Sequence, residues 1–328
     1  MKMTMQIRTQ DKTVKEGLKD FIAVKTNQNV SEATKQDYKN MMGIFMSFYG
    51  ESSLCANITE DTVQDYTAYL RKKPKKKNNP KDDKIEYLAE QTVVTYIRHL
   101  RTVLNFFMER GYMARFEIKL PRAEKRVKPT YLPSDLDKLL KKPDLKSKST
   151  RFSEYRNWVM ANYFLATANR IATARNLRIQ DLDFEDNTIF LRKVKNKTQY
   201  TIPMDKRLKK ILIEYLSYRK GEPSDYVFCS EYDDKKPLAE SSIKTAMYRY
   251  NIRRGASQTS SHAYRRSFAK HYLQNGGQQM ALKSILGHKT LAMVLEYVDM
   301  YGDDLKKGFD ECNPLAEYAT GERVSLKK

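Results

Sequence analysis

The chain has 328 residues, with 61 Lys or Arg against 40 Asp or Glu, a formal net charge of +21. Its length exceeds what one hydrophobic core usually holds, and its 40% apolar content argues against a disordered chain. The basic excess points to a polyanion, DNA or RNA first, with a ribosomal assembly or an anionic membrane surface as weaker readings.

Cys55, Cys229 and Cys312 are odd in number and far apart, with no CxxC pair, which supports neither a zinc knuckle nor a disulfide framework and fits a reducing cytoplasm. The opening "MKMTMQIRTQDKTVKEG" lacks the apolar run of a signal peptide. No stretch approaches the ~18 apolar residues of a bilayer span, so no membrane partner is expected.

In chain order, "TVKEGLKDFIAVK" (13–25) places Val14, Leu18, Phe21 and Ile22 on one helical face. In "SEATKQDYKNMMGIFMSFYG" (31–50), Ser31 is a cap, Gly50 a stop, and Tyr38, Met41, Met42, Phe45 and Phe48 form the stripe. "ITEDTVQDYTAYL" (58–70) repeats the pattern behind Thr59, and a fourth helix spans 89–111. Four such stripes must bury one another, which predicts a compact helical unit. The third and fourth helices are joined by "RKKPKKKNNPKDDK" (71–84), with six bases in its first seven residues. It reads either as a solvated connection or as a loop riding on phosphates.

"PRAEKRVKPTYLPSD" (121–135) is basic and proline-punctuated, as a linker is. "FSEYRNWVMANYFLATANR" predicts an apolar helix running to Arg170. The period then changes, and "TIFLRKV" and "TQYTIPM" around "KNK" predict a hairpin. A helix at "KRLKKILIEYLSYRKG", a brief extended "DYVFC" and four more helical pieces complete the chain. The expected fold class is mostly α with a small β-sheet.

No GxGxxG, GxxxxGK[ST] or HxExxH appears, and no acidic cluster suits a two-metal nuclease, so neither a cofactor nor a metal is expected. Phosphodiester chemistry would then have to run on bases and a side-chain nucleophile. Arginine forks suit the charge on the non-bridging oxygens, a lysine or histidine can protonate the leaving oxygen, and a tyrosine can attack phosphorus. The second half of the chain carries all of these: Arg170; Lys193, Lys195 and Lys197; His262, Arg265 and Arg266; His288; Tyr297. His262 and Arg265 are three apart and share a helix face, while Arg266 points about 100° away and suits a bracing or neighbouring-phosphate role.

This order resembles the tyrosine recombinases, the family of phage and conjugative-element integrases and chromosome-dimer resolvases. "TANR" stands where the family has TG-x-R, "SHAYRRSFA" where it has PH-x-LRR-x-FA, "LGH" contains His288, and Tyr297 follows nine residues later. The resemblance implies a catalytic set of Arg170, Lys195, His262, Arg265, His288 and Tyr297, with Lys195 matched by its place eight residues before Pro203. It departs at Ala168, where a glycine is usual, and at Thr173, where an acid is frequent.

The resemblance further implies a helical core DNA-binding domain at 1–120, a linker at 121–135 and a tyrosine-recombinase-type catalytic domain at 136–328 whose tail links protomers. The implied activity is site-specific cleavage and rejoining of double-stranded DNA through a 3′-phosphotyrosyl link without ATP, for integration, excision or resolution. The expected assembly is a homotetramer on two DNA sites in the nucleoid, with a DNA-bending accessory protein as a candidate partner. A type IB topoisomerase, or a basic DNA-binding protein without activity, are the rival readings.

Overall fold

The computed structural model describes residues 11–75, 85–124, 128–148, 150–192, 199–233, 235–288 and 290–295. The chain divides into two compact units, Met1–Arg126 and Val127–Lys328.

In the first unit, α1 (Val14–Asn27), α2 (Glu32–Tyr49), α3 (Glu60–Arg71) and α4 (Glu90–Glu109) share one core. Their starts follow from capping chemistry. Thr13, Ser31 and Thr59 each accept a main-chain N–H of the first turn, and Glu16 reaches back to the Thr13 N–H at 2.9 Å. Gly50, at φ +102°, ends α2 in a conformation that disfavours a Cβ. Phe21, Phe45, Tyr66 and Phe107 are fully buried at the centre. α1 and α4 approach so closely that a Cβ on Gly17 would stand 2.7 Å from the Phe107 ring.

The basic connection between α3 and α4 has an ordered base. Arg71 forks onto Glu90 at 2.6 and 3.2 Å, Pro74 bridges Tyr87, and Lys75 pairs with Glu86 at 2.9 Å. Its lysine-rich continuation, 76–84, lies outside the described residues.

The second unit is built around α6 (Phe152–Thr167), which is buried on nearly every side. Around it pack α5 (Pro133–Leu140), α8 (Lys206–Arg219), α9 (Glu240–Arg253) and α10 (Ser261–Gln274). The short α7 (Ile171–Arg175) follows α6, and α11 (Gln279–Leu286) follows α10. The sheet has three antiparallel strands in the order β1 (Leu182–Asp183), β2 (Thr188–Leu191), β3 (Tyr200–Pro203). Ile189 pairs with Ile202, and both face the core with Leu191. The fold is thus mostly α with a small sheet, as the sequence predicts, and the hairpin is the β2–β3 pair.

One element ends earlier than its periodicity predicts. α6 stops at Thr167, not at Arg170, because Ala168 turns to the left-handed region at φ 53°. The chain breaks there and restarts as α7 with Arg170 at its N-cap. Among the described residues, no helix is long and apolar enough to cross a membrane.

Candidate active site

The turn between α6 and α7 is fixed from below. Thr167 donates to the Tyr163 carbonyl at 2.7 Å, and Asn169 donates to the Tyr163 hydroxyl at 2.8 Å. The Arg170 carbonyl accepts the N–H groups of Thr173 and Ala174, both at 3.0 Å. The main chain of Arg170 is thereby locked, and its half-buried side chain enters a small cleft. Asn169, Arg170, Ile171, Ser261, His262 and Arg265 line that cleft.

α10 supplies the opposite wall. Its cap, Ser260, accepts the His262 N–H at 3.3 Å and sets the first turn on which His262 sits. One turn on, Arg265 is buried, with 6% of its surface exposed. It donates to the Ala168 carbonyl at 2.8 Å, to the Leu286 carbonyl at 2.7 Å and to His288 Nε2 at 2.7 Å. A guanidinium has no acceptor, so Nε2 must accept and His288 carries its proton on Nδ1 in this arrangement. Arg266 turns away and forks onto the Pro129 carbonyl at 2.8 and 3.0 Å, so it braces the fold.

His288 is delivered by the end of α11. Gly287 caps that helix at φ +60°, and the His288 N–H closes back on the Lys283 carbonyl at 3.0 Å. The cleft is electropositive. Partial burial, then the charges of Arg265, Arg266, Arg170 and Lys128, hold His262 below the usual histidine value. A site that gathers guanidinium groups and disfavours further positive charge suits an anion such as a phosphate.

Four of the six residues singled out from sequence are therefore brought together: Arg170, His262 and Arg265 around one cleft, and His288 through its bond to Arg265. Lys195, its neighbours Lys193 and Lys197, and Tyr297 lie outside the described residues. Two contributors lie outside the set of side chains singled out for the site. Ala168 gives a carbonyl, not a side chain. Tyr200, on β3, donates to the Ile285 carbonyl at 3.3 Å and thereby rests the hairpin on the end of α11.

The sequence model of the phage integrase family matches residues 133–302, more than half of the chain. The chain belongs to the phage integrase family. It is a site-specific DNA recombinase of the tyrosine type. A phage integrase SAM-like domain also matches residues 15–124, the helical part of the first unit. Among its relatives, tyrosine recombinase XerC of Oceanobacillus iheyensis is 24% identical over 302 residues, covering 88% of this chain and 92% of the relative. Tyrosine recombinase XerA of Pyrococcus furiosus is 26% identical over 269 residues, covering 80% and 92%. In fold, this integrase-family chain resembles the Tn1549 transposon integrase in complex with a circular intermediate DNA, with a TM-score of 0.69, 18% identity and coverage of 87% and 94%. It also resembles a lambda integrase dimer bound to a COC′ core site, with a TM-score of 0.65, 14% identity and coverage of 96% and 100%.

Proposed function

We propose that Tyr297 is the nucleophile and that Arg170, His262, Arg265 and His288 hold the scissile phosphate of double-stranded DNA. The Tyr297 oxygen forms a bond to phosphorus as the bond from phosphorus to the 5′-oxygen breaks. Lys195 gives the departing 5′-oxygen its proton, and His262, kept neutral by its surroundings, takes the phenolic proton. The 3′-phosphotyrosyl link conserves the bond energy, so the 5′-hydroxyl of a partner duplex can reverse the step on a new strand without ATP. The observation that supports this reading most is the convergence of Arg170, His262 and Arg265 on one cleft, with His288 bonded to Arg265.

In the same reading, residues 1–120 bind the DNA core site, 121–135 link, and 136–328 catalyse, with the C-terminal tail joining protomers. Four copies on two DNA sites exchange strands in the nucleoid, and a DNA-bending accessory protein is a further partner. The net charge of +21 supports the DNA partner.

The test is covalent trapping. The protein is incubated with a pool of nicked duplexes of randomised sequence, and DNA that stays attached in detergent is recovered and sequenced. The expected result is one enriched site with a 3′-phosphotyrosyl end, and loss of the adduct in Tyr297→Phe with DNA binding retained. An adduct that survives in Tyr297→Phe overturns the assignment.

A further inference from the structure

Tyr200 stands out among residues that the proposed chemistry does not use. Its ring occupies the notch left by the missing side chain of Gly287, where an added Cβ would lie 2.7 Å from the Tyr200 oxygen. Its hydroxyl donates to the Ile285 carbonyl at 3.3 Å. The next carbonyl, that of Leu286, accepts from Arg265 at 2.7 Å, and His288, two residues further, accepts from the same nitrogen at 2.7 Å. The ring thus backs the short stretch that supplies two of the three anchors of the Arg265 guanidinium found among the described residues. Burial raises the Tyr200 pKa, and the charges of Arg265 and Arg170 act against that rise, so both guanidinium groups are within electrostatic reach of the phenol. At neutral pH the hydroxyl keeps its proton and remains a donor.

We infer that Tyr200 is a positioning residue, which holds the turn from Ile285 to His288 so that Arg265 meets the non-bridging oxygens of the phosphate in one fixed orientation. The inference rests on the reading of Arg265 as a phosphate ligand. The physical reason is that an arginine clamp works by geometry. Displacement of a clamp by a fraction of an ångström costs rate while leaving ground-state contacts largely intact.

The test compares two chemistries at the scissile position. Nicked duplexes carry the site recovered by covalent trapping, with either the ordinary phosphate or a methylphosphonate. The methylphosphonate has one non-bridging oxygen replaced by an uncharged methyl, so it asks less of a guanidinium. Tyr200→Phe removes only the hydroxyl, and Gly287→Ala pushes on the ring from the other side. Both are checked for fold by thermal melting, and Arg265→Ala is the reference. On phosphate, Tyr200→Phe is expected to bind DNA as the parent does and to form the adduct about tenfold more slowly. On methylphosphonate its deficit shrinks to within about threefold, the same direction of rescue as Arg265→Ala, since less charge is left to be met. Gly287→Ala follows the same pattern. Equal deficits on both substrates, as mere loosening of the fold would give, or no deficit at all, overturn the inference. Parent-like cleavage of phosphate by Arg265→Ala would instead overturn the reading of Arg265, and this inference with it.

Discussion

Arg265 Nη2 reaches His288 Nε2 across 2.7 Å, so the arginine on α10 helps orient the histidine that follows α11. The bond fixes the tautomer as well as the ring, and it leaves Nδ1–H as the donor of His288.

Replacement of Arg265 should therefore damage stability and activity together. Arg265→Lys keeps a charge but not the fork, and it withdraws donors from the carbonyls of Ala168 and Leu286, both buried. The expected loss is about 2 kcal/mol in denaturant unfolding, with DNA cleavage down by about a hundredfold. Unfolding curves that superimpose on the parent would contradict the bonding pattern.

His262 makes stability depend on pH with a definite sign. Partial burial first, then Arg265, Arg266, Arg170 and Lys128, lower its folded pKa. Between that value and the ordinary histidine value the unfolded chain binds more protons than the folded one. Unfolding free energy must therefore fall as pH drops through this window, and recover above it. His262→Gln should flatten this part of the profile, which lies below the ordinary histidine value of about 6.5. An identical slope in the variant would remove the basis for a neutral His262.

Ala168 sets two effects against each other. Its φ of 53° costs an L-residue about 1 kcal/mol, which glycine would recover, while glycine gives up a buried methyl worth about 0.8 kcal/mol and adds freedom to the unfolded chain. Ala168→Gly should stay within about 0.5 kcal/mol of the parent by chemical denaturation. Ala168→Val adds branching at the same φ in a filled site and should lose about 2 kcal/mol or more.

Gly17 separates helix propensity from packing. Alanine favours a helix by up to about 1 kcal/mol, but its methyl would overlap Phe107, a ring with no exposed surface, at 2.7 Å. Overpacking of a rigid aromatic costs about 1–3 kcal/mol, so Gly17→Ala is expected to lower the melting point of the first unit. A rise would mean that α1 and α4 can move apart freely.

Much of this was legible because the signals are local. Ser31, Thr59 and Gly50 mark helix ends by chemistry that acts within four residues, and the structure uses each as expected. His262 and Arg265 share a face because three residues make nearly one helical turn. The break after Thr167 was marked only by the glycine that the resembled family has in place of Ala168, since alanine itself is a strong helix former. Its cause is tertiary, a carbonyl held by Arg265 from 97 residues away. Tyr200 was hidden for a like reason: its partner carbonyl lies 85 residues downstream, and a tyrosine in a strand ordinarily signals only packing. The eight-residue α5, opened by Pro133 at its first position, is too short to display a convincing stripe.

The bonds of Arg265 to Ala168, Leu286 and His288 also have an order imposed by synthesis. Ala168 leaves the ribosome well before Arg265, and Leu286 and His288 follow only after another 21 and 23 residues. Until the last of them emerges, a nascent chain can hold α6 and α10 yet cannot seat the arginine. A polypeptide that stops short of His288 therefore leaves the Arg265 guanidinium without part of the frame that holds it.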